Sequence, residues 1–204
     1  MLAFKAILLM LAKAGFQVTW KILDSQEFGV PQHRERVYIV CIRLDSVKKT
    51  FKFPTKGFSQ PLELKDILDP NETGRKKSDL APGASETLKV ALKEIKAAGL
   101  KAKDEYIFID VDAGEEFRHW MHGVCPTITK ARGRHGYFVT HRDIQRTMAR
   151  TEIMKMQGLD PLRVGWTDRV CSATTMGEAI GDAMTVNVVG PVLVRALEAS
   201  GLVR

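Results

Sequence analysis

The sequence predicts a protein of the α/β class, and three patterns near its two ends support this. Residues 2–13 are nearly all good helix formers followed by Gly15, which predicts a buried helix at the start of the chain. Residues 16–21 alternate apolar and polar side chains, and residues 36–42 form an apolar run rich in β-branched residues, so both are predicted strands. Residues 186–199 carry one apolar face and predict a final helix. This succession is typical of an α/β sheet closed by a helix.

The composition is that of a folded, basic protein. The chain has 204 residues, of which 45% are hydrophobic and 27% charged, so it can form a core and is not expected to be disordered. A formal net charge of +7 favours a polyanionic partner such as nucleic acid, although ordinary enzymes also reach this value. The three cysteines are odd in number and far apart, which indicates neither a disulfide framework nor a paired-thiol zinc site and fits a reducing compartment.

The pattern of the chain changes in its middle. Lys, Pro and Gly interrupt residues 44–83, which predicts irregular structure. Residues 86–98 then predict a lysine-faced helix, and residues 106–111 predict a strand. Residues 118–150 are the most basic stretch, with seven Lys or Arg and a single acidic residue.

A cluster of polar residues precedes the second predicted strand. The run Gln32-His33-Arg34-Glu35-Arg36 follows Phe-Gly-Val-Pro at 28–31 and leads into Tyr-Ile-Val at 38–40. Side chains two residues apart on a strand point to the same side, so Arg34 and Arg36 could both face a phosphate or a carbonyl oxygen. Without its flanking residues, such a pattern more often marks a solvated strand end.

The same run, with its flanks, resembles the eighth conserved motif of the DNA (cytosine-5) methyltransferases. The resemblance implies that Arg36 hydrogen-bonds O2 of a flipped-out cytosine and that Arg34 lies near the DNA and the pocket wall. It makes Gln32, Arg34 and Arg36 the catalytic residues of this chain. Attack on cytosine C6 pushes electron density onto O2 and N3, where a fixed cation stabilises it. The base must first leave the stack, and methyltransferases are among the enzymes that flip bases.

Residues 123–138 carry a second pattern, in which glycines, threonines and arginines are interspersed. Glycine lets the backbone approach DNA, arginine can contact phosphate or guanine, and threonine can contact base edges. The stretch resembles the family's target-recognition region, where a Thr-Leu or Thr-Val dipeptide marks a base-reading loop. The resemblance implies contact with double-stranded DNA through Thr127, Ile128, Thr129, Arg132 and Arg134. Taken alone, the stretch is more simply a basic surface loop.

Two further stretches resemble the last motifs of the family. Residues 146–158 match the ninth motif in part, since Ala149 and Thr151 replace two of its usual residues. Residues 180–189 resemble the tenth motif, whose turn lines the S-adenosylmethionine pocket, so the implied cofactor-binding residues are Gly181, Asp182 and Ala183. Asp182 stands where asparagine is usual, and read alone the turn is only a helix cap.

Several residues that the family needs have no match in this sequence. The cofactor loop Phe-x-Gly-x-Gly, the nucleophile motif Pro-Cys-Gln and the carboxylate motif Glu-Asn-Val are all missing. Methyl transfer to C5 requires a thiolate that attacks C6, and Cys125 stands in the order Cys-Pro instead. His119, His122 and Cys125 are spaced like metal ligands, but no fourth ligand is evident nearby.

The expected fold is the C-terminal portion of a Rossmann-like S-adenosylmethionine-dependent methyltransferase domain. Residues 1–43 and 147–204 would belong to it, and residues 44–146 would form an inserted, mostly irregular or β target-recognition domain. We expect the chain to be inactive without a chain or segment that carries the missing motifs. We expect the protein to lie in the cytoplasm if it is bacterial and in the nucleus if it is eukaryotic. We expect no membrane partner. A catalytically dead DNA-binding relic and a basic DNA-binding module are the alternatives.

Overall fold

The computed structural model describes residues 2–57, 60–165 and 171–203. Within these ranges the helices are α1 (Leu2–Lys13), α2 (Leu64–Ile67), α3 (Pro82–Ala97), α4 (Lys130–His135), α5 (Arg150–Met156), α6 (Pro161–Val164), α7 (Ala173–Asp182) and α8 (Val186–Ala199). The strands are β1 (Phe16–Asp24), β2 (Glu35–Arg43), β3 (Ile107–Ile109), β4 (Trp120–His122), β5 (Phe138–His141) and β6 (Ile144–Thr147). No single described helix is long and apolar enough to cross a membrane, although α7 and α8, with a 52° bend between them, pass that criterion together.

The two predicted N-terminal strands form a long antiparallel hairpin. Phe16 of β1 lies opposite Arg43 of β2, and Asp24 lies opposite Glu35. A short 3₁₀ turn follows β1, and Gly29 ends it with a φ of 78°, in the left-handed region that glycine adopts without strain. The hairpin therefore delivers the polar run at residues 32–36 to the start of β2.

One face of this hairpin is covered by the last helix. Leu23, Tyr38 and Ile42 are buried in a cluster with Val188 and Val192 of α8. The residues of a strand alternate between its two faces, so these side chains share one side of the sheet. The predicted closing helix is confirmed with the same bounds that the apolar stripe indicated.

The other face of the hairpin is largely open to solvent. Trp20, Ile22, Val37 and Ile39 are 47%, 51%, 51% and 38% exposed. Helix α1 reaches this side through Phe4, whose ring meets that of Trp20 edge to face at 5.0 Å between centroids. None of the residues of α1 is buried, so the predicted burial of this helix is wrong. The reason is that its apolar side has no covering layer within the described residues.

A second sheet is formed in the middle of the chain. Its strands are all antiparallel, in the order β4-β3-β5-β6. The basic stretch 118–150, which carries no clear strand pattern, forms β4, α4, β5 and β6. These strands are only three or four residues long, which is too short for alternation to be recognised.

Helix α3 packs against this second sheet. It has 16 residues and begins at Pro82, four residues before the predicted start at 86, because proline is well suited to the first turn of a helix. Leu88, Ala91 and Ile95 pack in one cluster with Ile107 and Ile109 of β3. The region 44–146 is therefore more regular, and more helical, than expected.

A shared core joins the second sheet to the C-terminal helices. Phe108 of β3, Ile128, Met156 of α5 and Ile180 of α7 belong to one buried cluster. Nearby, Glu152 is fully buried and accepts two hydrogen bonds from Arg146, both at 2.8 Å. Pairing compensates the cost of burying both charges. The boundaries predicted at residues 43 and 146 remain a prediction, since packing is continuous across the second of them.

Candidate active site

The loop before β2 is fastened to the segment that carries Thr127. The Cys125 N–H donates to Pro31 O at 2.9 Å, and the His33 N–H donates to Cys125 O at 2.8 Å. Thr127 Oγ1 donates to His33 O at 2.7 Å. The structure therefore brings two stretches together that lie about 90 residues apart in sequence.

The side chain of Gln32 is occupied inside the protein. Gln32 is fully buried, and its Nε2 donates to Met156 O at 2.8 Å. Its Oε1 accepts from the Ile128 N–H at 3.2 Å. Because both ends of the amide are used and no surface is exposed, Gln32 acts through its neighbours and not by contact with a ligand.

Arg34 is also directed inward. Its guanidinium donates to Ile128 O at 2.6 Å, to Gly181 O at 3.0 Å and to Ala183 O at 2.7 Å. Its Nε has no hydrogen-bond partner among the described residues. Burial, together with the nearby charge of Arg36, lowers the pKa of Arg34 to about 10, so the group stays charged at neutral pH.

Arg36 differs from Arg34 in being exposed. Its Nη1 donates to Glu35 O at 2.7 Å, and no carboxylate of the described residues lies within ion-pair distance. Strand alternation places Arg36 on the same face as Tyr38. Burial raises the pKa of Tyr38, and the charges of Arg34 and Arg36 oppose that rise, so the three groups are neighbours. The remaining N–H groups of the Arg36 guanidinium are thus available to an external acceptor.

The residues predicted to read DNA occupy different environments. Ile128 is buried in the core, and Thr127 is partly buried, with its carbonyl accepting from Tyr137 OH at 2.7 Å. Thr129 caps α4, where its Oγ1 accepts from the Arg132 N–H at 3.5 Å. Of these three residues only Thr129 is exposed.

The two arginines of α4 have carboxylate partners. Arg132 Nε lies 2.7 Å from Asp110 Oδ2, and its side chain is only 13% exposed. Arg134 lies 2.5 Å from Glu178, which also pairs with Lys130 at 3.2 Å. Arg134 stays partly exposed, whereas Arg132 is directed towards the protein interior. A DNA contact by either residue remains a prediction.

The turn at the end of α7 offers one exposed side chain. Gly181 and Ala183 present their carbonyls to Arg34, while Asp182 is exposed. Gly181 is also buried against Thr129 O, where a Cβ would clash. These two residues therefore fix the turn, and Asp182 is the member of the predicted set whose side chain can reach a ligand.

Gln157 fixes this turn by hydrogen bonds to the residues on both sides of it, a role that the sequence pattern alone did not reveal. It is fully buried, its Nε2 donates to Ile180 O at 3.2 Å, and its Oε1 accepts from Thr185 Oγ1 at 3.0 Å. The Val186 N–H donates to Gln157 O at 3.0 Å. The sequence did contain a signal for this role, because Gln157 and Gly158 match the Gln-Gly pair that ends the ninth motif.

Cys125 and Cys41 are poorly suited to act as nucleophiles, and the described residues form no metal centre. Cys125 is fully buried, and burial raises its pKa well above the usual range, which disfavours the thiolate. Burial also raises the pKa of Cys41. His122 pairs with Glu105 at 2.7 Å. Within residues 2–57, 60–165 and 171–203, no three potential ligands converge on one point.

Comparison with known proteins identifies the family. The profile of the C-5 cytosine-specific DNA methylases matches residues 2–196. The Type II methyltransferase M.BsuFI of Bacillus subtilis is 37% identical over 71 residues, which are 35% of this chain and 17% of that protein. M.HhaI of Haemophilus parahaemolyticus is 41% identical over 51 residues, or 25% of this chain and 15% of that protein.

Solved structures show the same fold. The Entamoeba histolytica methyltransferase EhMeth superposes with a TM-score of 0.61 at 15% identity, covering 98% of this chain and 59% of that one. The Dnmt2 methyltransferase of S. pombe gives a TM-score of 0.58 at 15% identity, covering 96% of this chain and 63% of that one. The chain thus spans about three fifths of these structures and has a methyltransferase fold of mixed α/β class. It belongs to the family of C-5 cytosine-specific DNA methylases.

Proposed function

We propose that this chain supplies the DNA-facing part and one wall of the catalytic pocket of a DNA (cytosine-5) methyltransferase. The observation that carries the proposal is the contrast between two neighbouring arginines. Arg34 is buried and bound to three carbonyls, whereas Arg36 is exposed and has no described carboxylate partner. The bonds of Arg34 fix the start of β2. Arg36 is therefore already positioned for an external oxygen, and little conformational entropy is lost when it binds one.

The proposed chemistry uses Arg36 as an electrostatic stabiliser. When a thiolate attacks C6 of an everted cytosine, negative charge develops on O2 and N3 of the ring. A guanidinium that donates to O2 stabilises this charge as it forms. In this proposal the thiolate comes from a segment or second chain with the remaining motifs, and Cys125 is unsuited to the role because burial raises its pKa.

The turn at residues 181–183 fits one side of a cofactor site. The exposed Asp182 carboxylate suits the hydroxyl and ammonium groups of S-adenosylmethionine, and the neighbouring Met184 is 53% exposed and apolar. S-adenosylmethionine, when bound, supplies the methyl group. In this proposal Asp182 helps to bind it, and Gly181 and Ala183 keep the turn in place.

A segment or second chain with the remaining motifs completes the enzyme in this proposal. The solved relatives extend well beyond the part that this chain matches, which supports a missing portion. The open face of the hairpin, defined as Trp20, Ile22, Val37 and Ile39, is the surface that this portion would cover. We expect the chain alone to bind DNA without methylating it.

The proposal is tested by co-expression with a methyltransferase segment that contains the Pro-Cys-Gln and Glu-Asn-Val motifs. Methylation of duplex DNA is expected only from the pair. Arg36→Ala is expected to lower the single-turnover rate about 10²- to 10³-fold while duplex affinity changes only a few-fold. Arg43→Ala is the matched control, since Arg43 lies on the same strand and pairs with the exposed Asp45 at 2.6 Å.

The net charge of +7 gives weight to a second candidate, a DNA-binding protein that does not catalyse. It predicts that Arg36→Ala weakens duplex binding in a salt-dependent manner, as the loss of one phosphate contact would. Binding without methylation in every pairing, together with that salt-dependent loss, would replace the enzyme proposal.

A further inference from the structure

Two segments of the proposed site are joined by buried side chains. We define the recognition segment as residues 127–135 and the cofactor-side turn as residues 181–183. We propose that Gln32 and Arg34 form a clamp that couples these segments, so that DNA binding and cofactor binding reinforce each other. The inference rests on the proposed function and adds positioning residues to it.

Arg34 provides the first link of the clamp. One nitrogen of its guanidinium donates to Ile128 O in the recognition segment, and the other donates to Gly181 O and Ala183 O in the cofactor-side turn. The guanidinium is planar, so the three carbonyls are held in a fixed relative geometry. A shift of either segment would leave a buried charge without acceptors, which is strongly unfavourable.

Gln32 provides the second link at the same residue of the recognition segment. Its Oε1 accepts from the Ile128 N–H, while Arg34 donates to the Ile128 carbonyl. Both polar backbone groups of Ile128 are therefore tied to the loop before β2. Gln32 Nε2 fixes the same loop to Met156 O at the end of α5.

Close backbone packing supports the same coupling independently. Gly133 of the recognition segment lies against Gly177 O of α7, the helix that leads into the cofactor-side turn, and Gly181 of that turn lies against Thr129 O, at distances that leave no room for a Cβ. Glu178 adds ion pairs to Lys130 and Arg134. The two segments have no soft layer between them, so displacement of one displaces the other.

Such a connection has a thermodynamic consequence. A ligand that orders one segment also orders the other, which reduces the entropic cost of the second binding event. The coupling is reciprocal, so DNA must tighten cofactor binding by the same factor as the cofactor tightens DNA binding.

The first test measures that factor in the reconstituted complex. The dissociation constant of S-adenosylhomocysteine is determined with and without a duplex oligonucleotide that contains the target. The wild type is expected to show a ratio of at least about fivefold, and Arg34→Met a ratio at least about twofold smaller, because only the packing contacts and the Glu178 ion pairs then couple the segments. Arg34→Lys keeps the charge but reaches fewer carbonyls, so it should be intermediate. Arg43→Met is the control and should keep the wild-type ratio. A wild-type ratio of one, or an unchanged ratio in Arg34→Met, overturns the clamp.

The second test uses this chain alone and does not depend on methylation. Amide hydrogen exchange in residues 127–135 and 181–186 is expected to rise together by at least about tenfold in Arg34→Met, with α3 unchanged. A rise in only one segment, or a uniform rise that includes α3, contradicts the clamp. If hydrogen exchange contradicts the clamp while the co-expressed pair still methylates DNA, the clamp is excluded and the proposed function stands.

Discussion

At the scale of single residues, Asp24 organises the loop that carries the candidate arginines. Its carboxylate accepts from the backbone N–H groups of Gln26 at 3.1 Å and Arg34 at 3.0 Å, and it lies 2.6 Å from His33 Nδ1. Burial raises the pKa of Asp24, but the bonds from Gln26, Arg34 and His33 outweigh it and lower the pKa below 3.8. The ionised carboxylate is therefore part of the folded loop.

Asp24→Asn is expected to change how stability depends on pH. A carboxylate whose pKa is lowered by folding stabilises the protein above its unfolded pKa, and the stabilisation is lost as the pH falls through the folded value. The variant should be about 1–2 kcal/mol less stable at pH 7, and the difference should shrink as the pH falls through the folded pKa of Asp24, which lies below 3.8. Urea unfolding between these pH values measures this. The exposed Asp143→Asn is the control, and a constant difference across the range would contradict the prediction.

The roles of individual residues were only partly predictable from the sequence. The motif predicts that Gln32, Arg34 and Arg36 form a site, but the side chains of Gln32 and Arg34 turn inward. Arg34 bonds to carbonyls 94 and 147 residues away, and no local pattern signals such partners. The exposed side chain of Arg36 is consistent with the expected role, and its contact with a base remains a prediction.

At the scale of elements, the contact between α4 and α7 depends on glycine. Gly177 faces Gly133 O and the side chain of Arg150, and any side chain at this position would force the two helices apart. Glycine in a helix is otherwise unfavourable relative to alanine. Its presence on both helices therefore indicates that close approach outweighs helix stability here.

Substitution of helical glycines should separate these two effects. Gly177→Ala is expected to lower the free energy of unfolding by about 1–3 kcal/mol through overpacking. Gly190→Ala in α8, where a Cβ meets nothing within 4 Å, should raise it by up to about 1 kcal/mol. Thermal and urea unfolding of both variants provide the measurement. Equal effects of the two substitutions would show that helix packing is not the determinant.

Elements with a clear apolar periodicity were predictable, and those without one were not. The hairpin strands and α8 have nine or more residues, so their apolar periodicity is readable from the sequence. Helix α7 and strands β4 to β6 were missed, because glycine and polar residues dominate the helix and the strands are short. Their positions are set by tertiary packing, which a local pattern does not contain.

At the scale of the whole molecule, the hairpin presents an apolar face, and its strand edges pair with no other strand in the part of the chain that the structure describes. Such a face is typical of a surface that another layer covers, and an isolated hairpin edge invites pairing with a further strand. Helix α8 covers the opposite face of the hairpin, and a comparable layer would be needed to cover the open face.

Polar substitution on the open face of the hairpin should affect both self-association of the chain and its binding to the complementary segment. Ile22 and Val37 are direct cross-strand neighbours, and the double variant Ile22→Thr, Val37→Thr keeps residues that suit strands. It is expected to reduce self-association of the isolated chain and to weaken binding to the complementary segment by at least about tenfold. Light scattering and titration measure the two effects. Leu162→Thr, at a site that is 93% exposed, is the control. Unchanged binding in the double variant would exclude this face as the contact.

The glycine contact between α4 and α7 also sets limits for chimaeras built from related enzymes. A graft that exchanges only residues 44–146 would place a foreign α4 against the native α7, and any residue bulkier than glycine at 133 would collide with α7. The smallest transplantable unit is therefore the stretch from the hairpin loop to the end of α7, moved as one piece. If the proposed recognition role holds, chimaeras that exchange it should be designed around that unit.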